Sequence, residues 1–231
     1  MNLRHLLLPT ALLAAGCGGE RTPRAPAAPP AAVAPPAAPG VAPDIMLRGT
    51  VHLEPTLTFR SCESRTIVTA LDSTGDRLVA TYRLMRPSNE VGVYLLARGA
   101  PAGNGAVILR EVEYATLPTA IEGCDQSPPN ADIVAWGANP DWRLTIVGSG
   151  IEFSQTAEPA GIAFQATPST GAGGAIRYEV PAGAGGAHTL QLDLTRAACN
   201  AGTGYTYGAM QASLVIDGKA LRGCAWRTRL P

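Results

Sequence analysis

The chain reads as mainly β: a small barrel that includes one helix, followed by a small antiparallel β-barrel or sandwich. Three observations predict this. Short apolar runs are separated by turn residues, the composition is rich in Gly (26 residues) and poor in aromatics (5%), and one stretch alone repeats its apolar residues at helical spacing.

The first folded segment spans 45–123. Leu47 to Leu53 is a strand with Val51 and Leu53 on one face, Leu57 to Cys62 is a second, and Thr66 to Leu71 is a third. The period then changes. Leu78, Tyr82 and Met85 recur at helical spacing, Thr74 or Asp76 supplies the N-terminal cap, and Pro87 stops the helix because it has no amide to donate. Val91 to Ala97 and Val107 to Tyr114 return to strand character, the latter with Val112 and Tyr114 opposite Glu111 and Glu113. Three strands, a helix and two strands is the order of an OB-fold, so this segment is expected to be an OB-like barrel.

The second segment, 130–231, carries eight candidate strands: Ile133 to Trp136, Trp142 to Val147, Ile151 to Ser154, Ile162 to Ala166, Ala175 to Val180, Thr189 to Leu194, Ala209 to Ile216 and Ala220 to Trp226. Leu190, Leu192 and Leu194 alternate with Gln191, Asp193 and Thr195, which buries one face and wets the other. Asp217-Gly218 is a two-residue hairpin signal between the last two strands. Glycine-rich stretches at 171–174 and 183–186 lie between strands, and neither has the lysine or the following helix of a phosphate-binding loop.

Ahead of both segments the composition is different. Arg4 and His5 precede an apolar stretch from Leu6 to Ala15, which is far shorter than the roughly twenty residues that span a bilayer. Leu13, Ala14, Ala15, Gly16 and Cys17 resemble the lipobox of bacterial lipoproteins. That resemblance implies a signal peptide over 1–16, cleavage before Cys17, and acylation of Cys17. Gly18 stands where inner-membrane retention signals usually carry Asp, so similarity to sorted lipoproteins implies the outer membrane, facing the periplasm. Residues 17–44 then form the lipidated cysteine and an Ala/Pro-rich linker, with prolines at 23, 26, 29, 30, 35, 36, 39 and 43. Such a run neither pairs as a strand nor continues a helix, and at about 3.1 Å per residue it reaches up to roughly 80 Å.

Four further cysteines, at 62, 124, 199 and 224, make an even set in an exported chain. Three pairings are possible; Cys62 with Cys124 and Cys199 with Cys224 closes each segment separately. No two are spaced Cys-x-x-Cys, which argues against a zinc site. No metal or other cofactor is expected. Formal net charge is zero, with basic residues scattered singly, so nucleic acid is not an expected partner.

Trp136, Asn139, Asp141 and Trp142 are the candidate binding residues: two indoles flank an Asn-Pro turn and could stack on sugar or peptide, while the Asn and Asp offer hydrogen bonds. The competing expectation is a turn with both indoles in the core. His52 sits on an expected strand and His188 in a glycine-rich loop, neither beside a nucleophile in a local motif, and Ser149 in Gly148-Ser149-Gly150 lacks a nucleophile elbow. A catalytic role is therefore not expected.

Two resemblances extend the reading. Arg48-Gly49-Thr50, Phe59-Arg60-Ser61-Cys62 and the Leu78 to Tyr82 helix resemble the OB-like domain of copper-homeostasis and envelope-stress lipoproteins. Trp136 to Trp142 resembles the Gly-Asn-x-Pro-x-Trp opening motif, and Cys199 through Tyr207 with Gly223-Cys224-Ala225 the closing motif, of an uncharacterised family of envelope lipoproteins. Ala201 and Thr203 stand where that closing motif has Asp and Met. These resemblances imply a fold and an address rather than a reaction. The expected function is a non-enzymatic, periplasm-facing membrane lipoprotein that contacts an envelope protein or glycan. Two alternatives remain: an inhibitor of a periplasmic hydrolase such as lysozyme, with Arg177-Tyr178 on a barrel strand, or a small-ligand or glycan carrier.

Overall fold

The structure is a computed structural model that describes residues 42–85, 87, 91–119, 123–156, 158–183, 186–200 and 205–230. The leader, Cys17 and nearly all of the Ala/Pro linker lie outside the described residues. Strands β1 (Ile45–His52), β2 (Thr58–Ser61) and β3 (Ile67–Asp72) are followed by helix α1 (Arg77–Met85), then β4 (Val93–Pro101) and β5 (Val107–Thr116). β1 pairs antiparallel with β2 and β4, β2 with β3, and β4 with β5. β3 then closes on β5 in parallel, with Ala70 opposite Val107. This is a closed five-stranded OB-like barrel. Of the two expected caps, Thr74 makes the bond: its Oγ1 accepts the Leu78 amide at 2.9 Å. The helix buries Leu78 and Met85 against Val51, Phe59, Leu95, Leu109 and Val112, which fill the barrel.

The second segment adds β6 (Ile133–Ala138), β7 (Asp141–Val147), β8 (Gly150–Gln155), β9 (Glu158–Gln165), β10 (Ser169–Thr170), β11 (Ile176–Val180), β12 (Leu190–Asn200), β13 (Thr206–Ile216) and β14 (Lys219–Arg227). Hydrogen bonding runs β9-β8-β7-β6-β14-β13-β12-β11-β10, antiparallel throughout. Phe164 on β9 and Tyr178 on β11 share one core with Leu144, Leu192 and Leu214, so the sheet curls until its two ends face each other. Among the described residues no ladder joins β9 to β11. Asp217 and Gly218 both take positive φ, 48° and 79°, which is the backbone a tight hairpin between β13 and β14 requires.

The two segments meet along β13. Its C-terminal part runs between β12 and β14, whereas Thr206, Tyr207 and Gly208 pair with Thr116, Ala115 and Tyr114 of β5. Tyr207 and Ala209 accordingly pack into the first barrel, and Met210, Ala212, Leu214 and Ile216 into the second core. A third apolar cluster lies between these cores: Cys62, Tyr94, Leu96, Tyr114, Ala131, Val134 and Trp226, with Met46, Cys124 and Trp136 against it.

Simple alternation along β5 fails at Glu113. Leu96 pairs with Tyr114 and Ala97 with Val112, so Glu113 is the extra residue of a β-bulge. It is 0% exposed, with Oε1 and Oε2 accepting from Arg196 Nη2 (2.6 Å) and Nη1 (2.8 Å) and Oε1 facing Arg98 Nε at 3.1 Å. Arg98 and Arg196 also pair with Glu111. Two carboxylates and two guanidiniums thus tie β4 and β5 to β12, and the bond to Glu113 holds the Arg196 guanidinium above its ordinary pKa.

Disulfides join Cys62 to Cys124 and Cys199 to Cys224, with Cα atoms 4.9 and 5.4 Å apart. The first fastens the connecting segment to the end of β2, where Arg48 also donates to the carbonyls of Cys124 (3.0 Å) and Gln126.

Candidate functional site

Trp136 and Trp142 lie on opposite faces of the sheet. The turn at Asn139-Pro140, whose peptide is cis, sets Ala138 opposite Asp141 and Gly137 opposite Trp142, so Trp142 shares a face with Gly137 and not with Trp136. Trp142 is 3% exposed in the second core, 6.3 Å from the Phe153 ring centroid, and its indole lies over Gly137 and Gly223, where a β-carbon would collide with it. Asn139 and Asp141 are exposed at the turn. The four candidate residues therefore do not converge on one site, and Trp142 is a core residue.

Trp136 belongs instead to an aromatic group in the seam. Its ring meets Tyr114 edge-on at 6.1 Å and Trp226 edge-on at 4.9 Å; Tyr114 stacks on Trp226 at 4.3 Å, and Tyr94 meets Tyr114 edge-on at 6.4 Å. The strands explain the grouping. Along β6, Ile133 and Ala135 face the second core while Val134 and Trp136 face the seam; on β14, Ala225 and Trp226 divide in the same way. The close approach of Trp136 to β13 needs Gly208, because a β-carbon there would sit 2.8 Å from the indole.

Two cavities open against this group. One, of about 330 Å³, is bounded by Tyr94, Tyr114, Trp226 and the 126–129 segment; the other, of about 190 Å³, by Tyr114, Trp136, Trp226 and Thr206. Arg143 borders both. It is exposed, lies cross-strand from Trp136, and has no carboxylate partner among the described residues. The larger cavity therefore has a floor of Tyr94, Tyr114 and Trp226 with Ser127 on its rim, the smaller a floor of Tyr114, Trp136 and Trp226 with Thr206 on its rim, and Arg143 is the one cation at both among the described residues. The larger cavity has the volume of a small-ligand site. Cys62–Cys124 and Arg48 hold the rim segment in place.

Other groups are committed elsewhere. The interior of the curled sheet is filled by Trp142, Leu144, Phe153, Leu192, Met210 and Leu214, and its cavities lie at one end, against Ile133, Tyr178 and Arg227 (about 580 Å³), and at the open edge beside Phe164 and His188 (about 250 Å³). Burial raises the pKa of both Tyr178 and Tyr207. His188 Nδ1 lies 2.7 Å from Asp217 Oδ2 at an exposed turn, and Asp217 is held below the ordinary carboxylate range by the Thr189 amide and by His188. Ser149 donates to Gln165 at 3.0 Å. Arg177 binds Asp193 through two bonds of 2.7 and 2.9 Å, so the expected inhibitor-like Arg177-Tyr178 pair spends its cation within its own sheet and its ring in the core. Among the described residues no group of three or more His, Cys, Asp or Glu is placed to hold a metal.

Of the seam residues, only Trp136 stood out in the sequence. Tyr94, Tyr114, Arg143 and Trp226 did not, although one signal existed: Ile133 to Trp136 is apolar without alternation, the mark of a strand covered on both faces. Comparison with protein-family models, with curated proteins and with solved structures gives no match to this chain.

Proposed function

We propose that this chain is a lipid-anchored envelope protein of non-enzymatic role, whose folded part stands off the membrane on the Ala/Pro linker and meets an envelope component through the seam cleft. The observation that carries the reading is the run Leu13-Ala14-Ala15-Gly16-Cys17 closing an apolar stretch too short to span a bilayer. Several acyl chains on Cys17 anchor durably, since each buried methylene adds about 0.8 kcal/mol and a single chain binds only reversibly. The fold is consistent with this address: all four later cysteines are in disulfides, which persist in oxidising compartments.

A fatty-acid labelling experiment tests it. Cells fed a clickable palmitate analogue are expected to label the native chain and not Cys17→Ser, and the native chain should sediment with outer membranes. Label on the serine variant, or a native chain found unlabelled in the soluble fraction, refutes the anchor.

A further inference from the structure

We infer that the seam cleft binds an acidic sugar, a hydroxylated ring with one carboxylate, and that Arg143 is its charge-selecting residue. The inference deepens the proposed envelope contact and rests on it for the setting, but the ligand class comes from the cleft itself. Three features of the site agree on that class. The floor is made of aromatic rings, Tyr94, Tyr114 and Trp226 in the larger cavity and Tyr114, Trp136 and Trp226 in the smaller, and the C–H face of a pyranose packs on such rings. The cation is an arginine with no carboxylate partner among the described residues, whose planar fork fits a carboxylate through two parallel bonds. Among the described residues the rims offer neutral hydroxyls, Ser127 in the larger cavity and Thr206 in the smaller, rather than further charge.

Charge decides between this ligand and its rivals. A purely apolar guest would make no use of the Arg143 guanidinium or of the hydroxyl rim. A polyanion would need more than one free cation, and among the described residues Arg143 is the only cation that borders either cavity. In the larger cavity a single carboxylate on a hydroxylated ring satisfies the Tyr94, Tyr114 and Trp226 floor, the Ser127 rim and the Arg143 cation together. The Arg177 guanidinium is already matched by Asp193 within its own sheet, whereas Arg143 borders the cleft.

Saturation-transfer NMR on the full chain, purified in detergent, tests the inference with glucuronate, glucose and acetate as probes. Glucuronate is expected to bind saturably and at least tenfold more tightly than glucose, with acetate weaker still. Arg143→Gln should remove the advantage of glucuronate over glucose without lowering the thermal midpoint, and Arg60→Gln, on an exposed position of β2 outside the cleft, should leave it intact. Absence of saturable glucuronate binding, equal binding of glucose, acetate binding as tight as glucuronate, or an equal loss in Arg60→Gln would each overturn the inference. Palmitate labelling of Cys17 is read on the same preparation. Failed sugar binding with labelling intact removes the ligand class and leaves the anchored protein; failed labelling with sugar binding intact does the reverse.

Discussion

At the scale of single residues, a side chain's position in the register decided its role more than its chemical type did. Two tryptophans six positions apart share a hairpin, and its two-residue turn alone sends one indole to the second core and the other to the seam. Trp142→Ala is expected to cost about 3–5 kcal/mol, as deletion of a large buried aromatic does, whereas Asn139→Ala and Asp141→Ala at the exposed turn should stay within roughly 0.5 kcal/mol; urea unfolding reads all three. Glu113 is the opposite case, a charge at a buried position. Glu113→Gln leaves Arg98 and Arg196 short of an acceptor charge and is expected to lose about 3 kcal/mol by the same measurement, the lower end for breaking a buried pair because Arg196 is partly solvated. Asp193 provides a pH signature. The hydrogen bond from Arg177 holds its folded-state pKa below the ordinary 3.8, so its contribution is present above that value and is lost as the pH falls through the folded one. Acid titration of the thermal midpoint should therefore be shallower below pH 3.8 in Asp193→Asn than in the native chain.

At the scale of elements, the local patterns were legible and the long-range ones were not. The alternation of Leu190, Leu192 and Leu194, the Asp217-Gly218 turn and the helical spacing of Leu78, Tyr82 and Met85 each depend on neighbours in the chain, and each appears in the structure where the pattern places it. The order of three strands, a helix and two strands likewise corresponds to the closed barrel. Two features have no local signature. The bulge that turns Glu113 inward depends on the register between β4 and β5, and the pairing of Gly208 with Tyr114 joins strands far apart in sequence. The seam cleft is built from long-range pairings, β4 with β5, β5 with β13 and β6 with β14, plus the connecting segment, which is why one of its four aromatics was legible in the sequence and three were not. The disulfides act at this scale as well. Chain-entropy arithmetic for separations of 62 and 25 residues gives about 4.3 and 3.5 kcal/mol, so the double variant Cys62→Ser/Cys124→Ser is expected to lose more stability in urea than Cys199→Ser/Cys224→Ser. It should also loosen the 123–129 rim, seen as faster amide hydrogen exchange there.

At the scale of the whole molecule, the described residues form two filled cores and an aromatic seam, and the one unpaired cation among the described cleft residues borders that seam. β13 serves both cores, and the four-charge group of Arg98, Glu111, Glu113 and Arg196 crosses between them. The central claim is that the chain is exported, cut before Cys17, acylated there and oxidised at its four later cysteines. Intact-mass spectrometry of protein extracted from native membranes, with thiols alkylated before and after reduction, reads every part of it at once. The account expects a chain that begins at Cys17, carries acyl mass, takes up no alkylating agent before reduction and four equivalents after it; a chain that begins at Met1 with all five cysteines alkylated before reduction would contradict it.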